Sequence, residues 1–164
     1  MEESSYLKNR EHLITKFHKI PFLQSINKEY LSEILDLSKI RRYEPDELIT
    51  KEGDYDRWIY VIISGAVKVI KSDNEIARFE NCGDTFGEME VINGEARSAS
   101  VFADTETVCL AIDGSFLDRV SPENQNAIFS IFYRLLAEIL SERLRTTNNE
   151  LVQVKEELKR LKKT

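Results

Sequence analysis

The residues best equipped for chemistry lie together in Phe86–Ser100, FGEMEVINGEARSAS. Three acids and one arginine stand among two glycines. Gly87, and Gly83 just upstream, permit tight backbone turns. GEMEVI opens a short helix, and Gly94 ends it within two turns. The first N–H groups of such a helix have no intrahelical acceptor and attract an anion. Arg97 follows closely enough to fold back to them, and an arginine fork matches a phosphate bidentately. Ser98 adds a hydroxyl donor. Glu88 is an acceptor suited to ribose hydroxyls, and it could also orient Arg97. Together these residues suit a small phosphate ester carrying a sugar. A structural Glu–Arg salt bridge at a hairpin fits the same residues, and on chemistry alone it is the simpler reading.

The elements that must position this stretch follow from the pattern on either side. Apolar residues at Tyr6, Leu7, Leu13, Ile14, Phe17 and Ile20 predict a helix over 4–20, closed by Pro21. A second helical pattern covers 22–38, with Ser25 or Asn27 as its cap. From Ile40 to Ile112 the texture changes to short β-rich runs: ELITKE, RWIYVII, AVKVIK, EIARFE, SASVFA and TVCLAI. Turn signals such as EGDYD, SDNE, NCGD and NGEA separate them. Many short strands of this kind predict a β sandwich or barrel, of the jelly-roll type.

The last third reads as helix. Ser121 is the expected N-cap, Pro122 the first helical residue and Glu123 a first-turn acid. Leu140, Leu144, Thr147, Leu151, Val154, Leu158 and Leu161 then follow alternating spacings of four and three. This is a heptad seam with Leu144, Leu151 and Leu158 at a. Glu150 and Glu157 fall at g, and Lys155 and Lys162 at e. A parallel dimer pairs each g glutamate with the partner's e lysine, whereas an antiparallel pair sets like charges together. The expected fold is therefore α+β: a β jelly-roll barrel flanked by N-terminal helices, with a long C-terminal coiled-coil helix. Residues 1–120 form the barrel domain, and 121–164 the dimerisation helix of a parallel homodimer.

Composition narrows the function. The 164 residues carry a net charge of −6, which disfavours a bulk nucleic-acid binder. Cys82 and Cys109 are isolated from one another and read as reduced thiols in a cytoplasmic protein. No apolar signal core or membrane-length run is present. Both histidines, His12 and His18, precede the barrel. A barrel without histidine is poorly equipped for a catalytic metal, and no Ser/His/Asp or Cys/His set can form in it. Neither an enzyme nor a metal is expected.

Residues 40–112 resemble the cyclic-nucleotide-binding domain, the ligand module of catabolite activator proteins, protein kinase A regulatory subunits and cyclic-nucleotide-gated channels. The matching stretches are EGD (52–54), YVIISG (60–65), CGDTFGE (82–88) and ARSAS (96–100). The resemblance implies that Arg97 binds a cyclic phosphate, while Glu88 and the Gly87 backbone hold the ribose 2′-hydroxyl. Ser98 and the amides of Glu90 and Ala99 would complete the phosphate site. Met89 belongs to the same cassette helix, and Val69 would face the base. ERLRTTNNE resembles the dimerisation helix of the catabolite activators, which places Thr147 and Asn148 at the adenine. The implied ligand is cyclic AMP, with cyclic GMP as the alternative. The implied role is a dimeric signalling sensor acting on an unidentified protein partner. Two departures stand out. Glu90 occupies a position that is usually small in the family; turned inward, it would repel phosphate. The heptads run to KRLKKT without a helix-turn-helix, so sequence-specific DNA binding is not expected. The alternative function is a dimeric interaction protein whose cassette no longer binds nucleotide.

Overall fold

The computed structural model describes residues 1–5, 7, 17, 18, 20–24, 26–115 and 122–162. It divides into two compact units, Met1–Gln125 and Asn126–Thr164. The helix expected over 4–20 falls largely outside the described residues, as do the candidate caps Ser25 and Ser121.

In the first unit, the pattern over 22–38 resolves into two pieces, α1 (Pro21–Gln24) and α2 (Lys28–Asp36). Asn27 caps α2: it is extended, with ψ of 159°, and its side chain accepts from the Tyr30 N–H at 2.9 Å. Ser38, expected at the end of this helix, instead begins the first long strand. Its hydroxyl donates to the Ile34 carbonyl at 2.6 Å, tying the strand to the helix it leaves.

Among the described residues the strands are, in chain order, β1 (Glu2–Glu3), β2 (Ser38–Tyr43), β3 (Leu48–Thr50), β4 (Trp58–Ser64), β5 (Val67–Lys71), β6 (Asn74–Phe79), β7 (Thr85–Phe86), β8 (Ser100–Ala103) and β9 (Thr107–Asp113). They form two antiparallel sheets, ordered β1-β2-β9-β4-β7 and β3-β8-β5-β6. Ser72 and Asp73 close the β5–β6 hairpin with φ of 49° and 62°. Positive φ at both central residues is what a two-residue hairpin turn requires.

The inner faces of the two sheets meet in one apolar core. Tyr43, Tyr60, Ile62, Phe86, Cys109 and Ala111 come from the larger sheet, and Val67, Val101 and Ala103 from the smaller. The alternate residues Ile59, Val61, Leu110 and Ile112 are also buried. Successive strand side chains point to opposite faces, so the centre of the larger sheet is covered on both sides. This accounts for the unbroken apolar run at Trp58–Ile63. A strand half-exposed to water would alternate instead.

A short helix, α3 (Met89–Asn93), links β7 towards β8. Gly94 ends it in the left-handed region at φ 69°, and its N–H returns to the Glu90 carbonyl. The last helix, α4 (Pro122–Leu161), runs for 40 residues. Phe132, Leu135 and Leu136 on it are buried, whereas Leu144, Leu151, Val154, Leu158 and Leu161 are exposed. No helix among the described residues is long and apolar enough to cross a membrane.

Candidate functional site

Arg97 is fixed first through its backbone. Its N–H donates to the Asp54 carbonyl at 2.8 Å, and its own carbonyl accepts from the Gly53 N–H at 2.9 Å. This clasp lays the segment after β3 alongside Arg97 and delivers Asp56 to the guanidinium. Asp56 is steadied in turn by the Trp58 N–H, which donates to its Oδ1 at 3.0 Å.

The side chain of Arg97 is almost fully enclosed. A guanidinium has five N–H donors, and here each meets an acceptor from the chain. Nε donates to Asp56 Oδ2 at 3.0 Å, and Nη2 donates to Asp56 Oδ1 and to the Trp58 carbonyl at 2.7 Å. Nη1 donates to the Gly87 carbonyl at 3.1 Å and to Glu90 Oε2 at 2.9 Å. Burial opposes the charge on Arg97, but Asp56 and Glu90 outweigh it and hold the pKa above its usual value.

Glu90 has turned inward and is only 5% exposed. Besides Arg97, it receives the Ser98 N–H on Oε1 at 3.0 Å. Its carboxylate therefore takes an Arg97 donor, which the sequence assigned to a phosphate, together with the Ser98 amide, which it did not. One cation now faces two carboxylates, a net charge of −1 where an anionic ligand was expected.

Gly87 makes this closeness possible. At φ 80° it adopts a conformation that L side chains avoid, and a Cβ there would lie 2.5 Å from Arg97 Nη1 and 2.7 Å from the Trp58 carbonyl. Glu88 is fully buried beside it but is not among the hydrogen-bond acceptors of Arg97. The carboxylates that accept from the Arg97 guanidinium are those of Asp56 and Glu90 rather than Glu88. Ala99 is buried, while Ser98 and Met89 are exposed. Val69 packs against the inner core of the barrel. Thr147 and Asn148 are exposed on α4.

Asp56 and the Trp58 carbonyl are absent from the sequence-based set. EGDYD holds three acids, and nothing local says which of them reaches a residue 41 positions away.

Two antiparallel sheets thus frame a glycine-led short helix and an inward, fully engaged arginine. The family model of the cyclic nucleotide-binding domain matches residues 40–124, and the chain belongs to that family. The cGMP-dependent protein kinase of Toxoplasma gondii is 30% identical over 129 residues, covering 79% of this chain and 12% of the kinase. The chain thus spans about an eighth of that relative. A cyclic nucleotide-binding domain from Methylobacillus flagellatus shares the fold, with a TM-score of 0.75 at 22% identity over 90% of this chain and 87% of that one. A variant regulatory subunit of a cAMP-independent protein kinase A from Trypanosoma brucei is 25% identical, with a TM-score of 0.59 over 77% of this chain and 51% of that one. That variant replaces a glutamate by alanine and, seven and eight positions on, a threonine by arginine and a valine by alanine; it is bound to cAMP in its A site.

Proposed function

We propose that this chain is a non-catalytic regulatory module whose affinity for a cyclic nucleotide is set by an internal competitor, Glu90. The observation that carries the reading is the saturation of Arg97: all five of its donors are engaged, one of them by the Glu90 carboxylate. A ligand phosphate gains Arg97 only by displacing that carboxylate. The trypanosome variant supports this reading. Its substituted glutamate and the arginine it gains are seven positions apart, as are Glu90 and Arg97. There cAMP is found with the arginine present and the glutamate removed. Here the arginine is native and the glutamate remains.

The ligand is cyclic AMP, or cyclic GMP in its place, with Thr147 and Asn148 reading the base. The module works as a parallel homodimer through the exposed seam of α4, Glu150 and Glu157 facing Lys155 and Lys162 of the second copy. Its two free thiols suit a reducing cytoplasm. A protein partner would read the change in the helix.

Titration calorimetry tests the competitor. A charge-assisted hydrogen bond contributes about 1.5–3 kcal/mol, so Glu90→Ala should tighten cyclic AMP binding by roughly ten- to a hundredfold. Wild-type affinity equal to that of Glu90→Ala would sink the reading. Silence in both proteins would select the alternative, an interaction protein with a permanently closed cassette, which the saturation of Arg97 also favours.

A further inference from the structure

The closed cassette presents acceptors where a phosphate needs donors. All five N–H groups of Arg97 are bonded within the chain, and the Ser98 amide donates to Glu90 Oε1 at 3.0 Å. The two carboxylates are in the opposite condition. An ionised carboxylate has about four acceptor sites. Glu90 uses two of them, for Arg97 Nη1 and the Ser98 amide. Asp56 uses three, for Arg97 Nε, Arg97 Nη2 and the Trp58 N–H. Both therefore retain acceptor capacity. The Asp56 side chain is 33% exposed, so a solute reaches it, whereas the Arg97 side chain is 2% exposed.

The phosphate of a 3′,5′-cyclic nucleotide matches this surface poorly. It carries a negative charge and brings acceptor oxygens only. Beside Glu90 and Asp56 it meets like charge, and neither carboxylate can donate to it. Removing the phosphate reverses the chemistry. A ribonucleoside is uncharged, and the 3′ and 5′ positions that the cyclic ester joins become hydroxyl donors. A hydrogen bond from a hydroxyl to a carboxylate is charge-assisted, roughly twice as strong as a neutral one. A nucleoside thus finds acceptors in Glu90 and Asp56 where they stand. A cyclic nucleotide must first displace Glu90.

We propose that the closed cassette, with Glu90 on Arg97, binds an uncharged ribonucleoside whose sugar hydroxyls donate to Asp56 and Glu90. The inference rests on the reading of this cassette as a cyclic-nucleotide site, and it names the ligand of the closed form. Nucleoside and cyclic nucleotide exclude one another. The first holds Glu90 in place and the second needs it moved, so each shifts the cassette towards its own arrangement.

Titration calorimetry on the full chain uses adenosine, guanosine, cyclic AMP and cyclic GMP as probes. In wild type, one nucleoside should bind roughly tenfold or more tightly than its own cyclic nucleotide, and Glu90→Ala should lose that preference. The 3′-deoxy and 5′-deoxy forms of the preferred nucleoside each lack one donor. At least one of them should bind wild type roughly tenfold more weakly, since a site that accepts from a hydroxyl discriminates against its loss. Thermal melts establish that Glu90→Ala is folded. Wild type that takes no nucleoside, or takes cyclic nucleotide as tightly, overturns the proposal. So does a nucleoside preference that survives Glu90→Ala, or full affinity for both deoxy forms. Glu90 as a competitor of phosphate is judged separately, by cyclic AMP alone. That reading fails if Glu90→Ala leaves cyclic AMP affinity unchanged. It stands, and the nucleoside site falls, if cyclic AMP affinity rises in Glu90→Ala while wild type ignores both nucleosides.

Discussion

Glu90 and Arg97, seven residues apart, meet inside the cassette, Nη1 donating to Oε2 at 2.9 Å with both residues at most 5% exposed. Gly94 lets the chain reverse between them, and Gly87 lets the guanidinium approach. Asp56 completes the cluster from the other side. A buried ion cluster of this kind adds little net stability over apolar packing, because desolvating the charges offsets their attraction. Breaking it from one side is costly, and the cost depends on which member leaves.

Removing Arg97 leaves Asp56 and Glu90 together without a cation. Arg97→Met should lower unfolding stability by about 3–5 kcal/mol, the range for stranding a buried charge. Glu90→Ala leaves Arg97 paired with Asp56, so its loss should be much smaller. Adding Glu90→Gln to Arg97→Met should recover part of the deficit. Urea unfolding midpoints at constant slope check all three. Equal losses for Arg97→Met and Glu90→Ala would contradict the cluster as described.

Gly87→Ala probes the same closeness from the backbone. Left-handed φ costs a residue with a Cβ roughly 1–2 kcal/mol, and here the methyl group would also press on Arg97 and on the Trp58 carbonyl. A destabilisation above about 2 kcal/mol is expected, more than the conformational cost alone. A neutral variant would mean that the guanidinium moves aside freely.

The sequence showed the strands more clearly than their partners. The β-rich runs at 57–63 and 107–112 became β4 and β9 because two-sided burial demands continuous apolar residues. Asn27 announced its helix by its side chain. By contrast, β1 is two glutamates, and no pattern marks such residues as strand; only the edge of β2 makes them one. Ser38 followed a helical apolar pattern and lost it because the Ile34 carbonyl turns the chain into β2. Within the site, residue type and spacing drew attention to the stretch Phe86–Ser100, and the resemblance to the family marked it as a cassette with Glu90 as its odd member. They did not give its direction, nor the partner Asp56. Both depend on a backbone clasp between residues 53–54 and 97 that closes a long loop, and local propensity does not encode such a contact.

The carboxylate of Glu3 gives a pH signature. Its pKa lies below the usual 4.5, chiefly through the Lys39 hydrogen bond, then the opposing effect of burial, then Arg41. A folded-state pKa below the unfolded one adds stability that is fully present above about 4.5 and is lost as pH falls through the lower value. Glu3→Gln should therefore melt below wild type at pH 7, and the two should converge as pH drops beneath 4. A gap that persists undiminished at pH 3 would assign the contribution to packing.

The two thiols should separate in reactivity. Cys109 is enclosed in the barrel core, and burial pushes its pKa up to about 12. Cys82 is exposed. Thiolate is the reactive form, so iodoacetamide at pH 8 should label native protein once, at Cys82, and twice only after denaturation. Peptide mass spectrometry reads the sites. Labelling of Cys109 in native protein would mean that the barrel core opens readily.

The seam of α4 gives the last prediction. Leu144, Leu151, Val154, Leu158 and Leu161 are all exposed in one chain, between 47% and 70%. Five large apolar residues at heptad spacing need a cover, and a second copy offers one with matching charges. In parallel register each g glutamate meets an e lysine five positions on; reversal would set glutamate against glutamate. Each exposed ion pair contributes only a few tenths of a kcal/mol, so the apolar a positions must provide most of the association. Leu151→Ala at the central a position should shift sedimentation from dimer towards monomer at tens of micromolar, whereas Glu150→Lys should weaken the dimer only slightly and more at low salt. A cysteine placed at Leu144 should form a disulfide with its counterpart under oxidation, because a parallel register brings identical a positions together. Failure of that cross-link while the protein still sediments as a dimer would mean that the helices run antiparallel.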